Sequence, residues 1–376
     1  MSSMKNLFLL ISKFVALIGL LFSATINTAS AMDCEDTNGA TGLLDCSIEH
    51  DGKTRLYTLI VPENVDSVDI PLVVDMHSYL LNKSLQRFYS GWQSKAEQEG
   101  FIVAFPQGVG NSWNAGMCCG DNEEDDVGFI KALVAQVGRN YLIDPEKTFA
   151  TGFSNGGALS HRLACEASDV FAGIAAAAFP LARVPEDCTP ARSINVVHFH
   201  GLNDNVVPFG GGGNFNAFPS RDSFQYWSNI KSCQAEPVIT YEKNGAVCET
   251  YNSCQDNTSN TLCTINGSHL LYNNNDQLNI PDVAWAYLND AFKGEQEVLA
   301  NGTKGAFLLW RWVQLNWSSE TVGMVDIYRD GELVASRTSE ESYRDFVNTN
   351  NSSVYQYQIC KAGGTDLCSE VFNIKF

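Results

Sequence analysis

Gly152-Phe153-Ser154-Asn155-Gly156 decides how this chain is read. The pentapeptide fits G-x-S-x-G. It follows the short apolar run Thr148-Phe-Ala-Thr151 and continues as Gly157-Ala-Leu-Ser-His-Arg-Leu-Ala164, which reads as a helix beginning near Asn155. A strand that turns straight into a helix needs glycine where the two backbones meet, and it lifts the serine Oγ at the carboxyl end of a sheet. The pattern alone is common by chance. Its strand–turn–helix setting makes Ser154 the candidate nucleophile.

Working outward, apolar runs alternate with helical stretches: Pro71-Leu-Val-Val-Asp-Met76, Phe101-Ile-Val-Ala-Phe105, Phe171 to Ala178, Ile194 to Phe199 and Thr261 to Ile265. Strands without polar alternation, separated by helices, predict an α/β fold with a mostly parallel sheet covered on both faces. After Lys293 the texture changes. Segments Leu308 to Trp317, Met324 to Tyr328, Val354 to Ile359 and Val371 to Phe376 alternate between turn signals, which predicts a small C-terminal β-sandwich. The expected division is a leader at 1–31, a catalytic domain at 32–293, a linker at 294–304 and the sandwich at 305–376. Trp310, Trp312 and Trp317 are expected in its core, Trp310 and Trp312 on one face by alternation, with an aromatic face for a polymer as the alternative.

A nucleophilic serine needs a base and an acid that orients the base, in the order Ser, Asp or Glu, His for this elbow. Asp204 lies in His200-Gly-Leu-Asn-Asp204-Asn-Val-Val-Pro208, directly after an apolar strand, and is favoured over Asp222 and Asp256. His269 alone among six histidines follows Asp204, in the small-residue loop Asn266-Gly-Ser-His269. His198 is expected in the core, and His161 points away from Oγ along its helix. Two amides are needed for the oxyanion: Asn155, next to the nucleophile, and Tyr79, in the turn His77-Ser78-Tyr79. Ser78 and Trp113 are the candidate substrate contacts.

Composition narrows the function. Lys and Arg number 24 against 43 Asp and Glu, a formal charge of −19, so nucleic acid is not an expected partner. Lys5 and Lys13, the apolar run Phe14 to Phe22 and Ala29-Ser-Ala31 read as a secretory signal cleaved after Ala31, with no other stretch long enough to span a membrane. Twelve cysteines without paired CxxC units fit disulfides in an exported protein rather than zinc. Short loops suggest Cys34–Cys46, Cys254–Cys263 and Cys360–Cys368, and Cys118 and Cys119 are expected in two separate bridges. Glu123-Glu-Asp-Asp126 reads as a solvated loop, with calcium as the alternative.

Several motifs together resemble the secreted poly(3-hydroxybutyrate) depolymerase and feruloyl esterase family. They are Pro71 to His77, Ser112-Trp-Asn-Ala-Gly116 with Cys118-Cys-Gly120, Asp125-Asp-Val-Gly-Phe129, Thr151 to Gly157, His161 to Cys165 and His200 to Pro208, in order over roughly residues 50–293. The resemblance implies an α/β-hydrolase fold, ester hydrolysis by Ser154, Asp204 and His269, and neither metal nor organic cofactor. Two departures stand out: Ser78 where the family has glycine, and a histidine loop, Gly267-Ser-His-Leu-Leu-Tyr272, without the family's tryptophan and proline. The C-terminal segment looks like a fibronectin type III module. The first expectation is a polyhydroxyalkanoate depolymerase. A feruloyl or acetylxylan esterase is the alternative, and a non-catalytic polymer-binding protein the third.

Overall fold

The computed structural model describes residues 32–34, 39–116, 118–119, 123–182, 187–289, 300–307, 310–317, 325–338, 342–347, 354–361, 368–369 and 371–376. The expected leader and residues 290–299 lie outside them. In chain order the first part comprises β1 (Met32–Asp33), β2 (Gly42–His50), β3 (Lys53–Val61), β4 (Ile70–Met76), α1 (Lys83–Ser90), α2 (Trp92–Glu99), β5 (Ile102–Pro106) and α3 (Asp126–Asn140). It continues with β6 (Ile143–Phe153), α4 (Asn155–Glu166), β7 (Gly173–Ala177), β8 (Asn195–Gly201) and α5 (Ser220–Ile230). The hairpin β9 (Val238–Lys243) and β10 (Ala246–Tyr251), then β11 (Asn260–Ile265) and α6 (Ile280–Leu288), complete it.

These strands form one eleven-stranded sheet ordered β1-β2-β3-β5-β4-β6-β7-β8-β11-β10-β9. The middle run from β5 to β11 is parallel, with antiparallel pairs on both flanks. Alternate residues of each parallel strand serve opposite faces. Val74, Ile102, Ile174 and Val196 pack with Leu133 of α3 and Leu159 of α4. Val73, Val103, Ala175 and Val197 pack with Trp92 of α2 and Trp285 of α6. Covering both faces is what allows uninterrupted apolar strands, each fully buried aliphatic side chain contributing about 1.5–3 kcal/mol. Asn82, Asp125 and Asn279 start α1, α3 and α6 by accepting from the amides of Leu85, Gly128 and Asp282.

Six disulfides take up all twelve cysteines. Cys34–Cys46 and Cys360–Cys368 are as expected. Cys254 and Cys263 do not pair with each other. Cys263 faces Cys248 across the β10–β11 ladder and bonds to it, leaving Cys254 to join Cys233 after α5. Cys165 bonds Cys188, and Cys118 bonds its neighbour Cys119 rather than entering a separate bridge. The acidic run is solvated only in part, with Glu123 and Asp125 exposed. Lys53 reaches Glu124, His50 meets Asp125, and Asp126 is fully buried against Arg55 at 2.6 Å.

The C-terminal strands are β12 (Ala300–Phe307), β13 (Trp310–Trp317), β14 (Val325–Arg329), β15 (Glu332–Thr338), β16 (Ser342–Val347), β17 (Val354–Lys361) and β18 (Phe372–Lys375). They form antiparallel sheets ordered β12-β13-β16 and β15-β14-β17-β18. Because β12 begins at Ala300, the second half of the expected linker is strand. Val313, Leu315 and Trp317 join Val325, Ile327, Tyr357 and Ile359 in the core. Alternation therefore puts Trp312 on the outer face beside exposed Phe346, contrary to the core expectation. The side chain of Trp310 lies outside the described residues.

Candidate active site

Ser154 stands between β6 and α4 with φ 55° and ψ −113°, the sharp turn that the glycine spacing called for. Its amide donates to Ala177 O at 2.8 Å and its carbonyl accepts from Ala158 N at 2.9 Å, so both sides of the turn are held. The surrounding glycines have geometric reasons. A Cβ on Gly156 would sit 2.1 Å from Met76 O, one on Gly152 2.5 Å from the backbone of Gly156, and one on Gly157 2.6 Å from Ala177 O. Each obstacle is backbone and cannot swing aside. Gly156→Ala is therefore expected to destabilise the protein by about 3 kcal/mol or more and to abolish turnover together. Thermal unfolding with an ester assay checks this; an unchanged midpoint would show that the elbow can relax.

Three loops at the carboxyl edge of the sheet bring the predicted trio together. His269, in the loop after β11, has Nε2 3.0 Å from Ser154 Oγ and Nδ1 2.7 Å from Asp204 Oδ2. Asp204, after β8, is buried, and its Oδ1 accepts the amides of Val206 (2.8 Å) and Val207 (2.9 Å). Burial opposes its charge, but hydrogen bonding from His200, His269 and the Val207 amide outweighs it and holds the carboxyl far below the usual range. A carboxylate can only accept, so His269 Nδ1 donates and Nε2 is left with a lone pair toward Oγ. That arrangement can take a proton from the serine and return it to a leaving group. The two loops are zipped together by Leu202 N to Ile265 O (2.9 Å) and Asn203 N to Gly267 O (3.0 Å). The rivals lie elsewhere: Asp222 is in the first turn of α5, and Asp256 accepts from Ser193 N.

Asn155 opens α4 with its amide at the helix start. Its side chain is a clamp, Oδ1 accepting Trp113 N (2.8 Å) and Nδ2 donating to Trp113 O (3.0 Å). Trp113 does not meet the expectation of a substrate contact. It is fully buried, its indole donating to His77 O at 2.8 Å and lying 4.8 Å from the His77 ring. His77 accepts at Nε2 from Gly108 N (3.0 Å), donates at Nδ1 to Ser78 O (2.8 Å), and burial lowers its pKa to about 4. In the turn itself the amides of Leu80 and Leu81 are spent on Asn111 O and Ser78 O. Tyr79 is 39% exposed and Ser78 buried, and neither backbone amide has a hydrogen-bond partner among the described residues.

Sequence reasoning missed the wall behind His269. Phe153 lies 5.2 Å from its ring and meets Tyr89 and Tyr272 at 6.1 and 5.6 Å. Beneath them, fully buried Asp75 accepts from Gln86 Nε2 (2.8 Å), and Gln86 accepts from Tyr89 OH (2.6 Å). Burial raises the Asp75 pKa to about 7. The signal was one carboxylate inside an apolar strand.

No family model matches the chain. Among curated proteins it is similar to feruloyl esterase B of Piromyces equi, 33% identical over 211 residues, covering 52% of this chain and 39% of that protein. It is also similar to feruloyl esterase C of Emericella nidulans, 30% identical over 181 residues, covering 46% of this chain and 63% of that one. The chain thus spans between about two fifths and two thirds of the length of these relatives. Among solved structures, acetyl xylan esterase from Aspergillus awamori superposes with a TM-score of 0.52 at 16% identity, covering 66% of this chain and 99% of that one. The fold is that of the α/β-hydrolases, with smaller antiparallel sheets at the C-terminus.

Proposed function

We propose that this chain is a serine carboxylic-ester hydrolase that removes feruloyl or acetyl groups from polysaccharide. The observation that carries the esterase reading is the unbroken line Ser154–His269–Asp204, with contacts of 3.0 and 2.7 Å, at the carboxyl edge of the sheet. Ser154 Oγ attacks the ester carbonyl as His269 Nε2 takes its proton, and the amides of Asn155 and Tyr79 receive the oxyanion. Collapse of the tetrahedral intermediate expels the alcohol, which takes the proton from His269. Water then repeats the sequence on the acyl-enzyme. Asp204 fixes the tautomer of His269 and balances its transient positive charge.

The names of the relatives favour polysaccharide esters over polyhydroxyalkanoate, which rests on the motif resemblance alone. Six disulfides support export. The arrangement of three and four strands supports a fibronectin type III-like reading of the C-terminal sheets. The test is product analysis on methyl ferulate, feruloylated arabinoxylan oligosaccharides, acetylated xylan and hydroxybutyrate oligomers, with Ser154→Ala as blank. Ferulate or acetate release is expected. Hydroxybutyrate alone would return the enzyme to depolymerisation, and no Ser154-dependent product would leave a binding protein.

A further inference from the structure

Behind Asp204 lies a buried row of imidazoles that the reaction as written does not use. His200, at the end of β8, is fully buried, with Nε2 2.8 Å from Val207 O and 3.5 Å from Asp204 Oδ2. Its Nδ1 is 2.8 Å from Ser220 Oγ and 3.0 Å from His198 Nε2. His161 continues the row, its ring 5.5 Å from that of His198, and its Nδ1 accepts from Trp227 Nε1 at 3.0 Å. Phe209 closes the site, its ring 5.6 Å from that of His200.

Valence fixes the protons. A carbonyl only accepts, so His200 Nε2 carries hydrogen, and in the neutral ring Nδ1 must accept from Ser220 or His198. His198 is buried beside two other imidazoles, a setting that disfavours charge. His200 Nε2–H donates to Val207 O at 2.8 Å, and the same nitrogen lies 3.5 Å from the carboxylate oxygen that holds His269. The Val207 amide meanwhile bonds Asp204 Oδ1. One imidazole thus ties together the carboxylate and the turn that carries it.

We infer that His200 is a positioning residue for the proposed reaction: its Nε2–H holds Asp204 Oδ2 in line with His269, and Ser220 and His198 hold His200 in the tautomer that can do so. This rests on the serine-hydrolase reading. Bulk alone does not explain the arrangement, because an apolar residue of the same size would fill the space without a donor to share between Val207 O and Asp204. Gln places an amide donor near the position of Nε2. Phe keeps the ring volume without a donor, and Asn has a donor too short to reach.

The experiment measures kcat and KM against pH for His200→Gln, His200→Phe and His200→Asn, with the rate at which a fluorophosphonate labels Ser154. Phe and Asn are expected to lower kcat by about 10–100-fold, the worth of one hydrogen bond to a charged group, at nearly unchanged KM. Gln is expected to stay within about threefold of the parent. The same pair should shift the downfield His269 Nδ1 proton, because a less satisfied carboxylate oxygen draws that hydrogen more strongly. If Phe does not fold, Asn against Gln carries the comparison. Parent-like kcat in Asn or Phe, or equal losses in Gln and Asn with an unmoved proton signal, overturns the inference. If no ester is turned over by the parent, the functional reading fails, while the phosphonylation ratios still judge His200.

Discussion

Ser154→Ala is expected to lower ester turnover by about 10⁴-fold or more and to abolish fluorophosphonate labelling, with the fold intact. The argument is geometric. Among the described residues, the hydrogen-bond partner of His269 Nε2 is Ser154 Oγ, at 3.0 Å, and the elbow that presents it is built from backbone contacts made by Gly152, Gly156, Ala177 and Ala158 rather than by the hydroxyl. Removing Oγ therefore deletes the nucleophile while leaving the turn, the clamp between Asn155 and Trp113 and the His269–Asp204 pair in place. The variant should unfold within about 1.5 kcal/mol of the parent, the net worth of the one hydrogen bond to His269 that it loses. Intact protein mass after labelling, with kcat/KM on methyl ferulate, checks both parts. A variant that still turns over ester at the parental rate, or a label on another residue, would remove Ser154 from the reaction.

The elbow was legible because its constraint is local: a strand meeting a helix within van der Waals contact tolerates no Cβ at Gly156, and the sequence shows glycine there. Asp204 and His269 were legible through order along the chain, since both follow strands that end at the same edge of the sheet. The cysteines were not legible, because pairing depends on which strands adjoin. Cys263 lies nine residues from Cys254 in sequence but faces Cys248 across a ladder. Trp113 is a candidate substrate contact in the sequence, which does not show what its side chain faces. The structure spends its indole on His77 O and its backbone on Asn155. Trp312 failed for a similar reason: alternation shows that Trp310 and Trp312 share a face, but only the packing partners of Val313 and Leu315 say which face is inside.

The second large effect is expected at Asp204, where Asn is nearly the same shape and yet should lower kcat by about 10³–10⁴-fold. Asp204 Oδ1 is fixed as an acceptor by the amides of Val206 and Val207, so an asparagine keeps its carbonyl oxygen there and turns its NH₂ toward His269. An NH₂ donates, so His269 must then accept at Nδ1, and its hydrogen moves to Nε2, facing Ser154 Oγ. The ring remains in position but can no longer take the serine proton. Because the fault in turnover lies in a tautomer and not in packing, KM should change little, while thermal stability should fall, since the hydrogen bonds that hold the carboxylate charged are lost or reversed. Fluorophosphonate labelling should slow in parallel with turnover, since both use the same base. Asp222→Asn and Asp256→Asn serve as controls and should stay within about twofold, because Asp222 lies in the first turn of α5 and Asp256 accepts from Ser193 N, both outside the line Ser154–His269–Asp204. If Asp204→Asn behaved like these two, the orienting acid would have to be sought outside the loop after β8, and the proposed role of His200 would fall with it.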